Sequence, residues 1–69
     1  MSTIDAATLA RLINETETLV SNKNKLETFT NTDKFKTLAL VDQSDLIEQL
    51  EYMTKYAEVL NRRVSRLEN

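Results

Sequence analysis

The chain has 69 residues and contains no Gly, Pro, Cys, His or Trp. A domain of this size buries only about 60% of the surface its unfolded chain exposes. Without Cys or His neither disulfides nor the usual zinc and haem ligands can reinforce it, so self-association or a partner chain is the expected remedy. The absence of Gly excludes phosphate loops of the Walker and Rossmann types, and a net charge of −2 disfavours a DNA or RNA binder that relies on counterion release.

At 41% hydrophobic residues the chain is set apart from the strongly polar composition of disordered segments. Met1 to Asp5 lack a basic region followed by an apolar run, and no apolar stretch is long enough to span a bilayer. The expectation is a single soluble domain, residues 1–69, with no membrane partner and no cofactor.

The first predicted element is an amphipathic helix over about residues 5–28. Leu9, Leu12, Ile13, Leu19, Val20 and Leu26 recur at three-, four- and seven-residue spacings, with Arg11, Glu15, Glu17 and Lys25 mostly between them. Ser2 with Asp5 has the spacing of a capping box. Thr16 and Lys23 stand where a strict heptad has apolar residues, so this face reads as interrupted.

Residues 29–41 are expected to form a loop with a short helical turn. The segment from Thr28 to Asp33 holds three Thr, one Asn and one Asp, whose side chains compete with helix for backbone hydrogen bonds. Thr32 or Asn31 can cap a turn over Asp33 to Leu38, with Phe35 and Leu38 plugging the end of the molecule.

The second long helix is expected over about residues 42–67, with Asp42 or Ser44 as its cap. Leu46, Leu50, Met53, Ala57, Leu60, Val64 and Leu67 alternate steps of four and three, a full seam for one partner helix. Asp42, Asp45, Glu48 and Glu51 open this helix while Lys55, Arg62, Arg63 and Arg66 lie toward its end, matching its dipole. The predicted fold is therefore all-α: an antiparallel helical hairpin with a short helical turn in the connection, assembled as a homo-oligomeric helical bundle.

Catalysis is not indicated. The carboxylate pairs Asp45/Glu48 and Glu48/Glu51 lie on the exposed first turns of a helix, where dipole complementarity alone accounts for them. More informative is the row Gln49, Tyr56 and Arg63, spaced by seven along one border of the seam. It combines an amide, a phenol and a guanidinium, with Asn61, Arg62 and Tyr52 within about a turn. Such border positions also commonly form inter-helix hydrogen bonds that set register, and that plain structural account stands beside the ligand reading. In an oligomer the row meets a second copy across a symmetry axis, giving a two-fold pocket suited to a ligand with two phosphates and two aromatic rings. A second cationic group, Lys34 and Lys36 around Phe35 with Thr30 and Thr32, could hold an anion, although Phe35 reads equally as a core plug.

From Phe29 to Val64 the sequence FTNTDKFKTLALVDQSDLIEQLEYMTKYAEVLNRRV carries a Phe, a Thr-containing loop, F-x-x-L, then L-x-x-Q-x-x-x-M-x-x-Y-x-x-x-L-x-x-R. Phe29, Phe35, Leu38, Leu46, Gln49, Met53, Tyr56, Leu60 and Arg63 fill this pattern without a gap. Over about residues 25–67 the chain resembles a group of very small crAss-phage-related bacteriophage proteins. The resemblance implies phage origin, so the cytosolic placement expected from the missing leader and apolar span becomes the host cytoplasm. It further implies a role similar to that of the small oligomeric helical phage proteins that act as sponges for cyclic nucleotides of host CBASS and Thoeris defence. On that reading the chain is no enzyme. It sequesters a cyclic di- or trinucleotide between subunits through Tyr56, Arg63 and Gln49, with Arg62, Lys34 and Thr32 as further ligand-binding candidates. The alternative is a helical protein–protein adaptor or inhibitor that docks on a host or phage protein.

Overall fold

Helix α1 (Ala6–Thr30) begins where Asp5 accepts the backbone N–H of Thr8 at 2.7 Å, satisfying one of the otherwise unpaired donors of the first turn. That bond holds the Asp5 carboxyl below its ordinary range. The computed structural model describes residues 5–68, so Ser2, proposed for a capping box, lies outside the described residues. Asp5, expected inside the first turn of that box, is itself the cap.

The Thr-rich segment does not stop α1 at residue 28. Phe29 and Thr30 continue it, and the stop comes at Asn31, whose side-chain amide and the Thr30 hydroxyl both donate to the Glu27 carbonyl, at 3.1 and 2.7 Å. Thr32 then donates to the Phe29 carbonyl at 2.6 Å. Side chains in this way satisfy carbonyls that a glycine-based cap would have left to backbone N–H groups. Among the described residues no backbone φ is positive, so the corner needs no glycine.

Thr32 also caps the single turn α2 (Asp33–Lys36), accepting from the Phe35 backbone N–H at 3.3 Å. Phe35 is buried and meets Phe29 edge to face, the ring centroids 5.9 Å apart and the planes at 88°. Helix α2 ends at Lys36, so Leu38, half-buried, sits beyond it.

Helix α3 (Leu40–Glu68) starts earlier than expected, which removes Asp42 and Ser44 as its cap. The backbone N–H of Gln43 donates to the Ala39 carbonyl at 3.0 Å, while its side-chain amide reaches back to the carbonyls of Leu38 and Lys36 at 2.8 and 3.3 Å. Those last carbonyls of the connection are thus served from inside α3, and the helix can leave the corner directly. Asp42 falls in its first turn, where its charge still suits the dipole.

The two long helices pack against each other as an antiparallel pair, a rod 51 Å long and 14 Å across. All seven seam residues of α3 turn inward to some degree: Ala57 and Leu60 are buried, and Leu46, Leu50, Met53, Val64 and Leu67 are half-buried. One partner helix cannot cover more of a seam this long. On α1, Leu12 and Thr16 are buried, and Lys23 lies half-buried on the same line. The register set by Tyr56 against Glu15 brings Thr16 beside Ala57. Thr16 is therefore less an interruption than a small buried member of the seam, like Ala57, its hydroxyl satisfied by the Leu12 carbonyl at 2.7 Å.

A leucine at this heptad position should be harmful. Thr16→Leu adds volume at a buried position of the seam and is expected to cost about 1–3 kcal/mol, read as a lower melting temperature by circular dichroism. The opposite outcome, a more stable protein, would mean that the helices have room to spare at this level.

Candidate functional site

The row Gln49, Tyr56 and Arg63 lies on the exposed flank of α3, one position outside the seam. Tyr56 is 49% exposed, yet its ring is not free: the phenol Oη donates to Glu15 Oε1 of α1 at 2.9 Å. This bond is a tie between the two long helices, and it fixes the Tyr56 ring as a ledge beside the seam. Gln49 is exposed, its amide directed at the Met53 sulfur at 3.9 Å. Both Gln49 and Arg63 lie seven residues from Tyr56, or about 10 Å along the helix.

Electrostatics connect three of these groups. The hydrogen bond to Glu15, and then the Glu15 charge, push the Tyr56 phenol above its ordinary value, while the positive charge of Arg63 acts in the opposite sense. A raised phenol pKa means that the tie to Glu15 is intact below the unfolded value of about 10 and is lost as pH rises through the folded one. At neutral pH the tie is therefore whole. Replacing Glu15 with Gln removes the charge, so tyrosinate absorbance should appear at lower pH in Glu15→Gln than in the parent. Coincident titration curves would show that Glu15 does not govern Tyr56.

The remaining candidates divide between the two ends of the rod. Arg62 is exposed on the turn next to Arg63 and, with Asn61, Ser65 and Arg66, lines a groove of about 430 Å³. Lys34 and Thr32 belong to the corner, about 40 Å from Arg63 by helix length. Within one chain these two groups cannot share a small ligand. Thr32 is further committed, its hydroxyl donating to Phe29 and accepting from Phe35. The Lys34/Lys36 group keeps its lysines exposed around a buried Phe35, so the aromatic face is not open to a ligand there.

A larger open groove of about 690 Å³, within the range of small-molecule sites, runs along α1. Glu17, Ser21, Asn24 and Thr28 form one wall, Thr16, Val20 and Lys25 adjoin it, and Asn61 of α3 closes one end. Sequence reasoning missed these α1 residues. The available signal was their spacing, since Glu17, Ser21, Asn24 and Thr28 follow steps of four, three and four, a polar stripe parallel to the apolar one. Tyr56, Gln49 and Arg63 line neither groove; they lie on the exposed flank of α3 instead. Among the described residues no three carboxylates gather to hold a metal ion, and no helix is long and apolar enough to cross a membrane.

The arrangement offers a fixed aromatic face, guanidinium groups and amides on rigid helices, a set suited to binding a planar ring and an anionic group. No match was found among curated proteins or among solved structures. A family model described as Sequestin matches residues 6–66, nearly the whole chain, and the chain belongs to the Sequestin family. The name denotes sequestration, a binding role.

Proposed function

As a member of the Sequestin family, the chain is one that we propose to be a phage-encoded sponge, which sequesters a cyclic nucleotide immune signal of the host in pockets between subunits and so blocks anti-phage defence. A cyclic oligonucleotide such as a cyclic dinucleotide is the expected ligand, and the host cytoplasm the place of action. The observation that carries this reading is the Tyr56–Glu15 hydrogen bond. It holds a half-exposed aromatic ring at a fixed angle on the same stripe as Arg63 and Gln49, which lowers the ordering cost of stacking a base on it. Tyr56 stacks on the base, Arg63 pairs with a phosphate, and Gln49 addresses a base edge. Arg62 extends the cationic surface toward the end of the rod. The ligand is held without turnover, and its recovery unaltered is the check on that part of the reading.

The incomplete cover of the α3 seam supports an oligomer. Half-buried Leu46, Leu50, Met53, Val64 and Leu67 gain from a further chain, at about 25 cal/mol for each Å² of apolar surface removed from water. Calorimetric titration with a panel of cyclic di- and trinucleotides and the cyclic nucleotides of CBASS and Thoeris tests the sponge reading. Tight binding of at least one, with the ligand recovered unaltered after denaturation, is the expected result. No heat from any member rejects it, and recovery of cleaved ligand replaces it with an enzyme.

A protein adaptor is the second reading, and one observation favours it. Leu40 and Val41 are 82% and 65% exposed at the start of α3, with Ile47 two turns on, an apolar patch away from the Tyr56 stripe.

A further inference from the structure

Beyond its buried seam, α3 carries a second row at alternating steps of four and three: Asp45, Gln49, Tyr52, Tyr56, Val59, Arg63 and Arg66. All seven are exposed, and the middle of the row is the apolar part, with Tyr52, Tyr56 and Val59 among the largest exposed hydrophobic side chains of the chain. Read in reverse, the row complements itself. Asp45 comes opposite Arg66, Gln49 opposite Arg63, Tyr52 opposite Val59, and Tyr56 opposite its own copy. On the solvated rim Glu48 comes opposite Arg62, and of the like pairs that the reversal brings near the axis, Lys55 with its copy has long side chains free to diverge into water, while each Glu15 is held on its own Tyr56 hydroxyl.

We infer that a second copy of this chain docks on this face, α3 antiparallel to α3 about a two-fold axis at Tyr56. Self-complementarity of this kind is what an isologous interface requires, each residue meeting in the partner the group that its own counterpart meets. A parallel pairing would instead set Asp45 against Asp45 and Arg66 against Arg66.

For the ligand site this geometry has a definite consequence, which rests on the function proposed above. Arg63 lies seven residues from the axis, so the two Arg63 side chains of a dimer stand about 20 Å apart along the rod. They serve two sites, not one shared two-fold pocket. Each site takes Arg63 and Val59 from one chain and Gln49 and Tyr52 from the other, with the paired Tyr56 rings as the wall between the two. The ligand class is one nucleotide-like anion per chain, two per dimer.

Light scattering on the unliganded full chain tests the pairing without reference to any ligand, and a dimer or a multiple of it is the expected mass. Asp45→Arg should weaken self-association by about ten-fold or more, because it places like charges opposite each other near both ends of the interface. Adding Arg66→Asp should restore it. A monomer at every concentration, or a double variant no better than the single one, overturns the inference. The composition of the site is tested by mixing Gln49→Ala with Arg63→Ala chains. Half of the dimers formed are mixed, and each has one intact site, so about a quarter of the parent's sites should return at a ligand concentration too low to occupy either variant alone. No recovery overturns completion of the site by the second copy. A dimer that binds no nucleotide leaves the pairing standing and rejects the sponge; a monomer that binds one does the reverse.

Discussion

Leu60→Ala should remove more stability than any other single truncation on α3. Among the described residues Leu60 is the one with no exposed surface at all, 0%, and the Tyr56–Glu15 register sets it near the level of Leu12, the one buried leucine of α1. Deleting its three outer carbons loses their transfer free energy and leaves a cavity that two helices can only partly close, about 2.7–5 kcal/mol in total. For a domain of 60–100 residues each 1 kcal/mol shifts the melting temperature by about 4–8 °C, so a fall of roughly 10–40 °C is expected. The control is its neighbour. Val59 is 39% exposed on the opposite side of the seam, and Val59→Ala should change the melting of the isolated hairpin by only about 0.5 kcal/mol or less. Thermal melts followed by circular dichroism make the comparison at equal chain concentrations low enough to keep the hairpin unpaired, since melting of an oligomer depends on concentration and Val59 lies in the α3 face proposed to pair. Equal effects from the two variants would mean that α3 faces α1 with a different edge.

The second large effect concerns ligand, not stability. Tyr56→Ala removes the stacking surface, worth about 1–3 kcal/mol per base, and should weaken nucleotide binding by about 10- to 100-fold. Arg63→Ala removes a charge-assisted contact to phosphate and should cost about as much. Neither side chain is buried within the hairpin, so the helical signal itself should stay close to the parent's. Tyr56→Phe separates the two functions of the phenol. It keeps the ring and loses the tie to Glu15, so affinity should fall only a few-fold. Were Tyr56→Phe as damaging as Tyr56→Ala, the hydroxyl would be the ligand contact and the ring incidental. A collapse of the helical signal in Arg63→Ala would instead favour the account in which this row only sets the packing of helices.

The long helices were readable because their periodicity survives every local exception. Seven residues of α3 alternate by four and three, and the same seven turn inward. What misled was chemistry at the ends. Thr and Asn between residues 28 and 32 argue against helix by propensity, yet in place they bond to carbonyls of the turn before them, so they finish the helix without interrupting it. Asp42 and Ser44 are good caps in the abstract, but Gln43 reaches back past them to Leu38 and Lys36, and a seven-residue reach of this kind has no short sequence signature. Thr16 looked like a flaw because a heptad template scores residues one helix at a time; its reason is Ala57, forty-one positions away. Of the site, the spacing of Gln49, Tyr56 and Arg63 was visible, but the partner that orients Tyr56 was not. Glu15 is one of several acidic residues on α1, and only the register of the hairpin selects it.

The corner bears on how the chain reaches this structure. Phe29 and Phe35 meet across six residues, and Thr32 and Asn31 lock the bend between them through bonds spanning four residues or fewer. Closing so short a loop costs little entropy, whereas bringing Leu12 to Leu60 first would mean closing one of nearly fifty residues. The Phe29–Phe35 clasp is accordingly the cheapest starting point for folding, and from it the two helices can zip outward one turn at a time, each new pair of seam residues only slightly farther from the last. Folding should then be fast, with the free ends of the rod the last to join and the first to separate.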